Sequence, residues 1–170
     1  MTRLGVILLG ALVIATGSSC MTEKVDVAAE KAAVEQAINT SIKWCLPDKD
    51  REKLYAHVAR DSSFFMFQTD SKSTIIGFDH FQRFCEAVFF DPRFKATGSE
   101  IKDLRISLSK GGDIAWFSCL LDDFGEWDGQ PVGWINARWT GVLEKRDGRW
   151  LLVQQHFSLP TDAPRDSAIG

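Results

Sequence analysis

The sequence predicts an α+β fold: three helices, then a meander of long strands forming one sheet bent around the apolar faces of those helices. Three observations predict it. Apolar residues recur at helical spacing in separate stretches before Asp91-Pro92. From Phe94 to Leu159 the chain instead reads as long strand-like runs broken by short polar turns. The 170 residues show no internal repeat and allow one domain, two at most. The 45% hydrophobic and 25% charged content is that of an ordinary folded protein, which argues against extensive disorder.

The first helix begins at Val27, with Val34, Ile38, Ile42 and Cys45 on one face and Glu30, Lys31, Glu35 and Gln36 between them. Pro47 disfavours helical geometry at Leu46 and stops it. Asp48 or Asp50 can cap a second, shorter helix reaching about Ala59. The period then changes. Ser62 to Thr69 is Phe-rich and reads as a strand, Asp70 to Ser73 as a turn, and Thr74 to Gly77 as a short returning strand. A third helix, from about Phe78 to Phe89, presents Phe81, Phe84, Cys85, Val88 and Phe89 on one face. Four strands follow. They are Phe94–Ser109, Ile114–Phe124, Val132–Arg146 and Arg149–Leu159. Between them lie a Lys110–Asp113 turn, a Gly125–Pro131 loop and an Asp147-Gly148 hairpin turn.

The chain outside this domain has its own pattern. One basic residue, Arg3, an apolar run from Leu4 to about Ala15 and small residues at 16–19 describe a secretory signal peptide. The run is short for a membrane span, which needs about 20 apolar residues. The small residues before Cys20 resemble a bacterial lipoprotein lipobox, although Gly17 stands where Leu is usual. That resemblance implies cleavage before Cys20 and lipid attachment to its thiol, hence an exported protein anchored at the bacterial cell envelope, in the periplasm. An ordinary cleaved signal is the alternative. The expected division is a signal peptide at 1–19, a tether at 20–26, the domain at 27–159 and a flexible tail at 160–170.

The formal charge of −3 and the absence of a basic stripe argue against a nucleic-acid partner. Cys45, Cys85 and Cys119 lie among apolar neighbours and outside any CxxC spacing, so buried inert thiols are expected. No HxH or HExxH spacing and no glycine-rich phosphate loop occur, so neither a metal nor another cofactor is expected. Six Trp and 12 Phe against one Tyr call for a large aromatic core or a ring-lined pocket.

The closing segment from Ala137 to Ser158 carries an Arg-x-Thr strand, an Asp-Gly turn, a Trp two residues after that Gly, and a His-x-Ser ending. It resembles the closing hairpin of SnoaL-like proteins of the nuclear transport factor 2-like superfamily, and the helix order and Gly77-Phe78 entry fit as well. The resemblance covers roughly 27–159. It implies a cone, a curved antiparallel sheet wrapped around three helices, with a cavity at one end and a homodimer as the default assembly. Relatives include isomerases, hydratases, cyclases and epoxide hydrolases, while others only bind ligands, so function must be argued from the site.

Strand parity puts Trp150, Leu152, Gln154, His156 and Ser158 on one face, which the resemblance places inward. A three-residue loop would pair Lys145 with Arg149, setting Arg138 opposite His156 and Thr140 opposite Gln154. A two-residue loop would set Trp139 opposite His156. The first register suits Arg146-Asp147-Gly148 as a type I turn plus bulge and is favoured. It makes Arg138 and His156 neighbours at the cavity, with Asp122 as the Arg138 acceptor and Asp123 the alternative by parity. Such an Asp122–Arg138–His156 cluster could do acid/base work, with His as proton carrier. A structural Arg–Asp pair is the competing reading. Trp116, Trp139, Thr140, Trp150, Leu152 and Gln154 are the expected pocket residues. Two functions remain open at this level. One is binding of a small, largely apolar ligand without turnover. The other is a hydratase, dehydratase or isomerase built on the cluster.

Overall fold

The computed structural model describes residues 25–46, 48–70 and 74–160 and the backbone of 168–169. The signal peptide and Cys20 lie outside the described residues. Helix α1 spans Val27–Lys43 and is capped by Asp26, whose carboxylate accepts from the amides of Ala28 and Ala29 at 3.1 Å. Val34, Ala37, Ile38 and Ser41 form its buried stripe. Helix α2, Arg51–Ala56, is capped by Asp50, which accepts from Lys53 N at 3.1 Å. It ends three residues before the expected Ala59. His57 and Ala59 are drawn off to pair with Leu152, through Leu152 N to His57 O at 2.8 Å and Ala59 N to Leu152 O at 2.9 Å. Backbone pairing with the sheet here outweighs local helix propensity. Helix α3, Phe78–Val88, follows Gly77, whose φ of 76° suits a residue without a Cβ.

The strands are β1 (Phe65–Phe67), β2 (Thr74–Ile76), β3 (Phe94–Leu108), β4 (Ile114–Trp127), β5 (Gln130–Arg146), β6 (Arg149–Ser158) and β7 (Ala168–Ile169). They form one curled sheet in the order β2-β1-β6-β5-β4-β3. The sheet is mixed, because β1 runs parallel to β6; the other pairings are antiparallel. The short β7, in a segment expected to be a flexible tail, pairs with β5 at Gly133 and Trp134. The expected Gly125–Pro131 loop is nearly all strand. Asp128 and Gly129, at φ 51° and 78°, close a two-residue turn between Trp127 and Gln130.

The closing hairpin corrects the favoured register. Asp147 and Gly148, both at positive φ, make a two-residue turn that pairs Arg146 with Arg149 and Lys145 with Trp150. A β-bulge then intervenes. Leu143 pairs with Leu152 but Val142 pairs with Gln154, leaving Val153 without a partner. Beyond it Thr140 faces His156, Trp139 faces Phe157 and Arg138 faces Ser158. The extra residue reverses the parity of β6. Trp150 and Leu152 point inward as expected, but Gln155 and Phe157 continue the buried face, and His156 is exposed.

The core lies between the helices and the inner face of the sheet. Trp139 is fully buried, stacked on Phe157 at 5.5 Å and edge-on to Phe117 at 4.9 Å. Each large side chain buried in this way contributes about 1.5–3 kcal/mol. Cys45, Cys85 and Cys119 are free and buried, and burial pushes the Cys45 and Cys119 thiols up to about 11 and 12. They are inert packing groups, as their apolar surroundings predict.

Candidate functional site

Between the helices and one end of the inner sheet face is a cavity of about 290 Å³. Ile42 and Trp44 close it from the end of α1, and Phe81, Phe84 and Val88 of α3 with Phe89 just after it close it from the other helix. Asp123 and Phe124 of β4, Val132 and Trp134 of β5, and Gln155 and Phe157 of β6 make the sheet side. Its walls are ring-rich because both layers supply rings. Trp44, Phe84 and Phe94 all pack around Phe89, with ring centroids 5.8, 5.6 and 5.5 Å from it. Trp134 leans on Phe157 at 5.4 Å across the cavity floor.

A second bulge shapes the sheet side. Leu121 pairs with Ala137 and Asp123 with Trp134, so Ile135 and Asn136 together oppose Asp122. Asn136 takes a left-handed φ of 55°, a conformation Asn tolerates. Asp122 points away from the cavity and pins the bulge. It accepts from Asn136 N at 2.7 Å and binds Lys102 Nζ through both oxygens at 2.8 Å. Burial alone would raise this carboxyl, but the Asn136 amide and the Lys102 ammonium outweigh it and hold Asp122 below its ordinary value. Gly133, next to Trp134, has φ 145°, and a Cβ there would sit 2.1 Å from the Asp123 carbonyl oxygen. Only glycine permits so close a strand approach.

Asp123 is thereby turned inward beside Trp134. It has no hydrogen-bond or ion-pair partner among the described residues, and burial pushes its carboxyl up to about 7. The remaining exposure of this half-buried residue is to the cavity it lines. The described lining residues include no Lys, Arg or His; Asp70, at an exposed position, is the other ionisable one. Gln155 is buried and accepts from Trp139 Nε1 at 3.2 Å, which leaves its amide nitrogen as a donor. The cavity can therefore hold a small apolar body and meet it, on the sheet wall, with the Asp123 carboxyl and the Gln155 amide.

The residues expected from the sequence are placed elsewhere. Arg138 and His156 are exposed on the outer face of the sheet, and Asp122 is engaged by Lys102, so the three do not meet at the cavity. His156 packs edge-on against Phe67 at 5.7 Å. None of the six expected pocket residues lines the cavity. Trp139, Trp150 and Leu152 are buried in the core; Trp150 donates to Glu30, which also binds Lys145. Thr140 and Gln154 are half-buried positions on the outer face with His156, and Trp116 is 49% exposed there. The causes differ: the two-residue turn puts Arg138 on the outer face, the Val153 bulge reverses Gln154 and His156, and Trp139, Trp150 and Leu152 face inward but pack in the core away from the cavity. Asp123, the alternative by parity, is the carboxyl the cavity uses. The Asp128-Gly129 pair was the sequence signal that would have started β5 at the right residue.

Such a curled sheet over helices, with a pocket between the layers, defines the cone-shaped α+β class of domains. Within it the chain belongs to the SnoaL-like domain family, whose model matches residues 34–162. Among curated proteins no sequence matches the chain. Solved structures share the fold. A nuclear transport factor 2-like protein of unknown function from Pseudomonas putida is 20% identical, with a TM-score of 0.61, covering 83% of this chain and 93% of its own. A type 2 hexachlorocyclohexane dehydrochlorinase is 15% identical, with a TM-score of 0.62, covering 81% and 95%. A Catenulispora acidiphila protein in complex with S-DNPA is 15% identical, with a TM-score of 0.59, covering 76% and 94%. At these identities the likeness is one of fold.

Proposed function

We propose that this protein is an envelope-anchored binding protein for a small, largely apolar molecule held in the ring-lined cavity. One observation carries the reading: the cavity is walled mainly by rings and aliphatic side chains yet holds a carboxyl, Asp123, that is unpartnered among the described residues. A pocket of mostly apolar walls with few polar groups suits a ligand whose body is buried and whose one polar group is oriented. Titration with the neutral fluorophore N-phenyl-1-naphthylamine tests it. One-to-one binding is expected, and Val88→Phe, which fills the α3 side, is expected to weaken it at least about tenfold by excluding the probe. No binding to the wild type would overturn the reading.

A second reading, favoured by Asp123 alone, is enzymatic. A carboxyl titrating near neutrality suits a general base that accepts a carbon-bound proton and returns it elsewhere on the substrate. It requires turnover, such as α-proton exchange of a cyclic ketone in deuterated buffer, abolished by Asp123→Asn. Exchange at the buffer rate would leave binding alone.

Anchoring and assembly complete the proposal. The basic start, apolar run and small residues before Cys20 support export and lipidation. A fatty-acid probe is expected to label the wild type and not Cys20→Ser. Trp116 and Ile135 expose large apolar surface on the outer sheet face, which supports a homodimer through that face. Light scattering is expected to give twice the chain mass, and Trp116→Glu to halve it.

A further inference from the structure

We propose that the ligand is a cation, a small hydrophobic amine whose ammonium group sits between the Asp123 carboxylate and the ring faces of the cavity. The inference rests on the binding reading above and specifies its ligand. Asp123 and Trp134 are cross-strand partners pointing into the cavity, so a carboxylate and an indole lie side by side on the sheet wall. The facing wall is a cluster of rings, with Trp44, Phe84 and Phe94 gathered about Phe89. In all, eight of the lining residues are aromatic. Ring faces carry negative charge density and attract cations, most strongly at desolvated sites.

The charge balance of the cavity selects among ligands. An anion would meet Asp123 and the negative ring faces with no lysine, arginine or histidine among the described lining residues to offset them. A neutral ligand leaves an ionised Asp123 uncompensated in an apolar site, an arrangement that disfavours the charge. An ammonium satisfies both the carboxylate and the rings, and its hydrocarbon body fills the remaining apolar volume. Other titratable groups nearby do not supply the missing charge. Asp70 is acidic and Cys45 is held neutral by burial. Lys49 is not a lining residue and donates to the Asp91 carbonyl at 2.8 Å.

Three probes of equal length and different charge test this: 4-phenylbutylamine, 4-phenylbutanol and 4-phenylbutyrate. Trp44 and Trp134 line the cavity and report binding by fluorescence, with calorimetry as the independent measure. At pH 8 the amine is expected to bind at least about tenfold more tightly than the alcohol, and the acid most weakly. Asp123→Asn is expected to lower amine affinity about tenfold or more while moving alcohol affinity less than about threefold. Wild-type amine affinity is expected to rise about tenfold or more from pH 5.5 to 8, as Asp123 ionises while the amine stays protonated. That slope needs no variant and stands even if Asp123→Asn folds poorly. Equal binding of alcohol and amine, or a flat pH profile for the amine, would overturn the amine assignment and leave the apolar-ligand reading intact. If all three probes and N-phenyl-1-naphthylamine fail to bind, both readings fall.

Discussion

Replacing Asp123 by Asn should make the free protein more stable, by an amount that grows from about pH 4 and levels off above about pH 7. Burial raises this carboxyl from an ordinary 3.8 to about 7. A group whose pKa is higher folded than unfolded holds its proton more tightly in the native state. Its effect on stability is therefore absent below about pH 4, where both states are protonated. Between about pH 4 and 7 the unfolded chain ionises first, and the native state loses stability as pH rises. Three units correspond to roughly 4 kcal/mol at 1.36 kcal/mol each, an upper bound because the cavity admits some solvent. Asn cannot ionise and escapes this loss. Urea unfolding of wild type and Asp123→Asn at pH 4, 6 and 8 is the assay. The two proteins should match within about 1 kcal/mol at pH 4 and diverge by about 2–4 kcal/mol at pH 8 in favour of the variant. A difference independent of pH, or a wild type that gains stability relative to the variant above pH 7, would refute the placement of Asp123 as an unpartnered inward carboxyl. The result also bears on function, because a group retained against stability is the kind a ligand compensates.

Other perturbations separate the parts of the structure. Deleting Val153 removes the residue that reverses strand parity, so Gln155 and Phe157 should turn outward and His156 inward. Loss of near-ultraviolet circular dichroism and of cooperative melting is the expected outcome, and a native-like melt would contradict the bulge. Gly133→Ala should destabilise by more than about 3 kcal/mol, since its Cβ would meet the Asp123 carbonyl at 2.1 Å in a backbone region closed to alanine. The double change Arg138→Ala with His156→Ala should leave affinity for N-phenyl-1-naphthylamine within about twofold, because neither side chain faces the cavity. Glu30→Gln should cost roughly 1 kcal/mol above pH 5 and less as pH falls. The Lys145 hydrogen bond and then the Trp150 bond hold this carboxyl below its ordinary value, so its contribution is lost on acidification.

Much of this molecule can be read from local chemistry. The Asp26 and Asp50 caps, the apolar stripe of α1, the Gly77 entry to α3 and the Asp147-Gly148 turn are signals carried by a few adjacent residues. They place the helices and long strands and, with the His-x-Ser hairpin, the family. The site was not legible in the same way. Its residues come from two layers, the helices and the sheet, and which of two adjacent carboxyls, Asp122 or Asp123, faces inward depends on strand alternation. On the two neighbouring strands, β6 and β5, the alternation is interrupted at Val153 and at Asn136, by bulges whose cause is not local.

The class of fold, the order of elements and the supply of aromatic rings follow from the chain's local chemistry, because helix periodicity, caps and turns act within a few residues. That Asp123 and Gln155 face the cavity while Arg138 and His156 face outward is settled by how the strands pair. The two-residue turn sets the face of Arg138, and a single unpaired residue in β6 exchanges every side chain beyond it between the two faces. Whether a strand accommodates such a residue depends on the curvature needed to close the sheet over the helices, which no short segment encodes.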